Sequence, residues 1–187
     1  MNMREGVMML IKHINLRDKA IIIVDSDCDG YCSSALLLNY LNRHFPSWVQ
    51  NNVEYFVHGG KQHGLGDVNI DELTHKQIKL VICPDSSSND YKQHQILKER
   101  GIDVLVIDHH EAEKVSEYAC IINNQLCDYP TKSLCGGAVV YKYCCFIDKL
   151  MQTNYAIEYE DLAALSLIGD MMDGRDFETR FLFQDGL

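Results

Sequence analysis

Three apolar, β-branched runs of this sequence each end in acidic residues, and each is followed by a stretch with helical or polar character. The runs are AIIIVDSD at 20–27, IKLVICPD at 78–85 and DVLVIDHH at 103–110. Continuous apolar runs are typical of strands buried on both faces of a parallel sheet. Because strands alternate with helices, we expect such a sheet with right-handed crossovers. The acids then fall at its carboxyl edge, where folds of this class bind ligands.

The remaining segments complete an α/β fold, a doubly wound, mainly parallel five-stranded sheet with helices on both faces. Two further runs, VEYFVH at 53–58 and ACIINNQ at 119–125, supply the other strands. Helical patterns cover 5–15, 31–45, 70–77, 89–101, about 137–152, 159–170 and 177–183. A chain of 187 residues can bury a sizeable core. We expect one domain over 1–187, with the segment from about 155 as the start of a helical linker.

Charge and cysteine content exclude several classes of protein. The chain has 17 basic and 27 acidic residues, a formal charge of −10, whereas self-sufficient nucleic-acid-binding modules carry a basic face. No run of about 18 apolar residues is present, so we expect no membrane span. The first 20 residues have no small-residue cleavage site and do not resemble a signal peptide. Eight cysteines without a CxxC pair predict buried reduced thiols in a cytoplasmic protein.

The segment DSDCDG at 25–30 carries three acids at alternate positions. A calcium EF-hand loop would need Glu at its twelfth position, which is Leu36 here, and would follow a helix, not a strand. An acid after a strand often caps the next helix. Three neighbouring carboxylates, however, repel one another unless a cation compensates them. Asp25, Asp27 and Asp29 are therefore candidate metal ligands.

Other acids and histidines point to the same edge. Asp85 ends the second buried run, Asp108-His109-His110 ends the third, and Asp170 ends an apolar helical segment. Each alone is equally consistent with a solvated strand or helix end. Their coincidence at one edge indicates a mixed oxygen and nitrogen site, which suits Mn²⁺ or Mg²⁺ better than structural Zn²⁺.

These four motifs, in this order, resemble those of the DHH phosphoesterases. The family pattern is DxDxDG after a first strand, an Asp after a later strand, Asp-His-His, and a helix-terminal Gly-Asp; here these are 25–30, Asp85, 108–110 and 169–170. Within the family, the RecJ-type single-strand exonucleases are the most similar, through His63-Gly64-Leu65 and the segment 123–138. The resemblance extends over nearly the whole chain.

The resemblance implies two divalent metal ions, Mn²⁺ first and Mg²⁺ as the alternative. Asp27 and Asp29 would each anchor one ion, and Asp85 would bridge them. His109 and Asp170 would complete the second site. Asp25 is implied either as a ligand or as a partner of one. In the catalytic pair, Asp108 would orient a neighbouring imidazole and His110 would face the substrate phosphate.

Several departures from the family pattern bear on substrate binding. Ile23 stands where the pyrophosphatase and small-dinucleotide branches carry His, which disfavours those branches. His58 stands where the RecJ-type loop carries Arg, so the phosphate contact is expected at Lys61 or His63. The N–H groups of Gly136 and Gly137 open a helix and could hold a phosphate, or the glycines could permit close packing of helix and strand.

The implied function is a metal-dependent phosphodiesterase that degrades single-stranded nucleic acid from its 5′ end. Short oligonucleotides or cyclic dinucleotides are the alternative substrates. An alternative from a different functional class is a non-catalytic DHH-like assembly module, which would keep the fold without the metal-ligating residues. All expected ligands are present, which favours the enzyme. No second, substrate-binding domain is recognisable in these 187 residues, and we expect one elsewhere in the same gene product.

Overall fold

A computed structural model describes residues 2–59 and 62–187, in which five strands form one sheet. The strand order is β2-β1-β3-β4-β5, and every neighbouring pair is parallel. The strands are β1 Lys19–Val24, β2 Val53–Val57, β3 Ile78–Pro84, β4 Asp103–Asp108 and β5 Cys120–Asn123. The predicted α/β fold is confirmed, and the sheet is parallel throughout.

Helices cover both faces of this sheet. They are α1 Met3–Leu16, α2 Cys28–His44, α3 Pro46–Asn52, α4 Ile70–His75, α5 Tyr91–Glu99, α6 Gly136–Met151, α7 Glu160–Gly169 and α8 Phe177–Gly186. A 3₁₀ helix spans Ala156–Tyr159. The sequence analysis did not predict α3. Pro46 ends the preceding helix, as expected, but it also occupies the first turn of α3, where its missing N–H is not needed.

The three apolar runs are continuous because alternate residues of β1, β3 and β4 enter two separate cores. Ile22, Ile82 and Ile107 face the larger core, which contains side chains of α1, α2 and α6. Val81 and Val106 face the smaller core, against α4 and α5. With both faces covered, a strand has no need of the polar alternation that a half-exposed strand shows.

Helix starts differ from the prediction by up to three residues. Helix α5 begins at Tyr91, two residues later than expected, and the Asn89 side chain donates to the carbonyl of Glu111 (2.9 Å). Helix α2 begins at Cys28, three residues earlier than expected, because Asp27 caps it by accepting from the Gly30 N–H (2.8 Å). Asp29 therefore lies in a helical turn and not in an extended segment.

The cysteines are consistent with reduced thiols. Throughout the described ranges all eight are free, and Cys83, Cys120 and Cys144 are buried. None of the helices in the described part of the chain is long and apolar enough to cross a membrane.

Candidate metal centre

Asp29 connects three helices at the carboxyl edge of the sheet. The Gly136 N–H donates to its Oδ2 (2.7 Å) and the Gly137 N–H to its Oδ1 (2.8 Å). The hydroxyl of Ser33 donates to Oδ1 (3.2 Å), and that of Ser166 on α7 also donates to it. The side chain is buried. These bonds fix the carboxylate at the junction of α2, α6 and α7.

Asp25 and Asp27 stand on the open side of the same loop. Asp25 is buried, accepts from the Ser26 N–H (2.9 Å), and is bound by the imidazole of His63. Burial alone would raise the pKa of Asp25, but the hydrogen bond and charge of His63 outweigh it and lower that pKa. Asp27 is exposed, and one of its oxygens caps α2.

Asp85 is the most confined of the carboxylates. Its backbone takes a left-handed conformation (φ 66°), which aspartate tolerates better than most residues, and its N–H donates to the carbonyl of Ile107 (2.8 Å). The side chain is buried, and its Oδ1 has no hydrogen-bond partner among the described residues. Burial, followed by the negative charge of Asp29, raises the pKa of Asp85 to about 12.

His109 lies among three of the acids. Its Nε2 is 3.3 Å from Asp85 Oδ1 and 3.6 Å from both Asp29 Oδ2 and Asp170 Oδ2. Asp170 follows the last residue of α7 and is partly exposed. One imidazole nitrogen thus faces carboxylates that come from α2, the end of β3 and the end of α7.

Asp108 and His110 form a separate pair at the end of β4. Asp108 is fully buried and accepts from the N–H groups of Ser88 (3.0 Å) and His109 (2.7 Å). His110 donates from Nδ1 to Asp108 Oδ1 (2.8 Å), while its side chain stays 46% exposed. Burial raises the pKa of Asp108, but the hydrogen bond and charge of His110 outweigh it and hold that pKa well below its usual value. The same hydrogen bond raises the pKa of His110.

All six predicted metal ligands lie at this edge. Three groups of donor atoms each fall within 4.8 Å of one another: Asp25, Asp27 and Asp85; Asp29, His109 and Asp170; and Asp85, Asp108, His109 and His110. The groups are connected, because Asp85 and His109 each belong to two of them.

The local environment fits a divalent cation. Oδ1 of Asp85 makes no hydrogen bond to the described residues, and it lies in a cluster of carboxylates whose charges repel one another. A cation would bond to this oxygen and would also neutralise the repulsion. Gly136 leaves room for this carboxylate, since a β-carbon on it would lie 2.7 Å from Asp85 Cγ. Carboxylate oxygens with one imidazole nitrogen are donors that Mn²⁺ and Mg²⁺ accept.

The predicted substrate-binding residues have different surroundings. Lys61 lies outside the described residues. His63 stands at the edge, half exposed, with its ring centroid 5.4 Å from that of His110. The N–H groups of Gly136 and Gly137 donate to Asp29, and a β-carbon on Gly137 would lie 2.7 Å from Ser166 Cβ. Both glycines therefore permit the close packing that was the alternative to phosphate binding.

Sequence reasoning missed the residues that support Asp29. Ser33 follows the DxDxDG segment by one turn of α2, a spacing that could have suggested it. Ser166 lies 137 positions from Asp29, in an apolar helix, and nothing in the sequence connects the two.

Comparisons with known proteins find one matching family and several relatives. The family model described as "DHH family, N-terminal domain" matches residues 19–169. A Bacillus subtilis protein with the provisional name single-strand DNA-specific exonuclease YorK is 39% identical over 187 residues, which is 100% of this chain and 31% of the relative. The single-stranded-DNA-specific exonuclease RecJ of Haemophilus influenzae is 30% identical over 198 residues, covering 98% of this chain and 33% of the relative. This chain thus spans about a third of the length of these relatives.

Among solved structures, an exonuclease RecJ bound to manganese has the same fold. The superposition has a TM-score of 0.82 with 21% sequence identity, and it covers 100% of this chain and 47% of that one.

Proposed function

The chain belongs to the DHH family, and we propose that it hydrolyses phosphodiester bonds of single-stranded nucleic acid from the 5′ end, with two divalent cations at the carboxyl edge of the sheet. Both curated relatives are named as single-strand DNA-specific exonucleases, which supports this substrate class. The observation that carries the proposal is the clustering of six candidate ligands around the buried carboxylate of Asp85, which belongs to two of the donor groups.

Two cation positions follow from these donor groups. The first would be held by Asp25, Asp27 and Asp85, and the second by Asp29, His109 and Asp170. Asp85 also lies beside His109, so it is placed to serve both positions. The donor set favours Mn²⁺, with Mg²⁺ as the alternative, and the related RecJ structure contains manganese. When bound, the cations would supply Lewis-acid activation of the scissile phosphate and of the attacking water.

Two imidazoles on the open side would bind and orient the substrate phosphate. Asp108 holds the His110 ring through Nδ1, which leaves Nε2 available to donate to a phosphate oxygen. Asp25 holds the His63 ring in the same way, at 5.4 Å from the His110 ring. Each hydrogen bond raises the pKa of the imidazole that makes it. Lys61 remains a predicted contact.

The crowded carboxylates disfavour a purely structural role. Without a cation, the mutual repulsion and the burial of these carboxylates destabilise the folded chain, and a module that serves only assembly has no use for a carboxylate cluster. Short oligonucleotides remain the second substrate class, and a series of substrates of increasing length distinguishes it from long single strands.

Metal content and hydrolysis together test the proposal. The wild-type chain should bind two Mn²⁺ ions and hydrolyse a small activated phosphodiester only when Mn²⁺ is present. Asp85→Ala should remove both the ions and the activity, whereas Asp71→Ala, an exposed acid outside the three donor groups, should change neither. Two ions retained in Asp85→Ala would contradict the assignment, and a metal-loaded wild type without hydrolytic activity would contradict the function.

A further inference from the structure

An open apolar groove of about 190 Å³ lies between α2 and the outer strand β2. One wall is a helical stripe that includes Tyr31, Ser34 and Leu38, which are spaced so that they share one face of α2. The floor contains Val24, Tyr55 and Val57, on the matching face of β1 and β2, where Val24 pairs with Val57.

The aromatic rings of this groove face solvent. Tyr31 is 48% exposed and Tyr55 is 65% exposed, and β2 is the last strand of the sheet on this side. Neighbouring apolar side chains that stay exposed mark binding surfaces more often than isolated ones do.

A buried hydroxyl in the same groove has no partner. Ser34 is almost fully buried, lines the groove, and its Oγ makes no hydrogen bond within the described ranges. Buried polar atoms of native proteins are nearly always hydrogen-bonded, to protein or to ordered water, so a water is the ordinary partner of such a hydroxyl. Because Ser34 Oγ is itself buried, the groove offers a ligand an apolar surface with two exposed aromatic rings.

The groove opens beside the candidate metal centre. Tyr31 lies two residues after Asp29, in the first turn of α2. Val57 ends β2 at the same edge, and the chain that follows it leads to His63, which is bound to Asp25. A ligand whose phosphate lies at the metal centre could therefore extend a neighbouring group into the groove.

Among the parts of a nucleic acid, a nucleobase matches this surface. A base has two apolar faces that stack on aromatic rings and a polar edge that can bond to a hydroxyl. The net charge of −10 makes it unfavourable to hold a strand through its phosphates alone, whereas stacking does not depend on the charge of the protein. The described residues that line the groove carry no charge, which also disfavours a phosphate in this position.

We propose that the groove is a nucleobase-binding subsite, in which Tyr31 and Tyr55 stack on a base of the single strand. The inference rests on the proposed function, because it places a substrate base next to the cleavage site.

Binding of a non-hydrolysable strand tests the subsite separately from catalysis. The probes are a phosphorothioate-linked oligothymidylate and an oligomer with the same backbone but without bases, with affinity measured by fluorescence anisotropy at low salt in Mn²⁺. Tyr31→Ala and Tyr55→Ala should each weaken binding of oligothymidylate by about 5- to 100-fold, which is the range for losing one stacked base. Binding of the baseless oligomer should not change.

Two further variants separate stacking from folding. Tyr31→Phe keeps the ring and should bind as the wild type does. Phe56→Ala removes a partly exposed ring from the other face of β2, so it should leave both affinities unchanged.

The inference is overturned if the wild type binds both oligomers equally or binds neither, or if the tyrosine variants lose affinity for both probes alike. If another segment of a longer protein covers the groove, the tyrosine variants would leave the preference for bases unchanged, which also overturns it. Failure of the proposed function has a different readout, since it would appear as a wild type that hydrolyses no small phosphodiester with Mn²⁺ bound.

Discussion

Gly136 decides how closely α6 can approach Asp85. A β-carbon at this position would lie 2.7 Å from Asp85 Cγ, and the backbone is not left-handed, so only space forbids a side chain. Gly136→Ala should lower the free energy of unfolding by about 1–3 kcal/mol, the usual effect of overpacking. It should also lower the Mn²⁺ content, because the carboxylate of Asp85 must move. Urea unfolding and metal analysis measure the two effects.

Gly66→Ala is the matched control for this prediction, because nothing lies within 4 Å of a β-carbon there. It should change neither stability nor metal content. If Gly136→Ala kept two Mn²⁺ ions at wild-type stability, the close approach of α6 would not matter to the centre.

Cys28 lies between two candidate ligands but is not expected to be one. It is the first residue of α2, and its Sγ lies where a β-carbon on Gly169 would be only 2.5 Å away, so the thiol packs against the end of α7. Cys28→Ser should leave the Mn²⁺ content unchanged, as measured by metal analysis, whereas Asp29→Ala should reduce it. A fall in the serine variant would identify Cys28 as a ligand and make Zn²⁺ a candidate.

At the scale of residues, sequence reasoning found the acids and imidazoles but not the groups that orient them. The DxDxDG pattern and Asp-His-His are local, and strand ends bring them to one edge. The early start of α2 at Cys28 was missed, because the cap formed by Asp27 begins the helix before its apolar pattern does. The contact of Ser166 with Asp29 depends on how α7 packs, which no local pattern encodes.

At the scale of elements, Asp103 holds two lysines together at the amino edge of the sheet. It begins β4 and accepts from Lys12 of α1 (2.8 Å) and Lys98 of α5 (3.1 Å). Burial raises the pKa of Asp103, but the two hydrogen bonds and charges outweigh it and lower the pKa to about 2, from its usual 3.8. Helices from both faces are therefore connected through one carboxylate.

A depressed folded-state pKa predicts how stability depends on pH. The contribution of Asp103 is present above the unfolded pKa of 3.8 and is lost as the pH falls towards about 2. Asp103→Asn should lower the free energy of unfolding at pH 7 by about 1–2 kcal/mol, since the lysines are half exposed and solvent weakens the pairs. The deficit should shrink below pH 4.

Urea unfolding of both proteins between pH 2.5 and 7 measures this difference. Asp67→Asn, at an exposed acid that makes no ion pair with the described residues, serves as the control and should show no pH-dependent loss of stability. If Asp103→Asn lowered the free energy of unfolding by the same amount at every pH, Asp103 would act by packing and not by charge.

The elements themselves were largely predictable. Four of the five strands lie within their predicted runs, and β1 begins one residue before its run, at Lys19. An uninterrupted apolar segment is what a buried strand such as β3 or β4 needs. The short helix α3 was missed, since PSWVQNN is too short to show a helical period. Its Trp48 donates to the carbonyl of Asp18 (3.0 Å), a contact across 30 positions that supports the helix from outside its own sequence.

At the scale of the whole molecule, the alternation of strands and helices leaves few topologies, which is why the sheet could be predicted as parallel. The strand order follows from the same rule, with the chain starting near the middle and winding in both directions. How a long substrate would be held was not predictable, because the 17 basic residues form no dense cluster in the sequence.

Charge balance governs the last prediction. Five candidate ligands are aspartates, and two divalent cations would return four positive charges, which leaves the domain at about −6. A polyanion is still repelled, so we expect this chain to hydrolyse a small activated phosphodiester slowly in Mn²⁺ and to degrade long single-stranded DNA poorly.

The Bacillus subtilis relative, of which the chain covers 31%, should have a higher ratio of DNA-degrading activity to small-substrate activity. Shortening that relative to its matching residues should lower the ratio to that of this chain. Both substrates are compared for the three proteins at low salt and equal Mn²⁺ concentration. If the 187-residue chain degraded long strands processively, the surface that binds the strand would have to lie within this acidic domain. The first positions to substitute would then be Lys61, His63 and the groove residues Tyr31 and Tyr55.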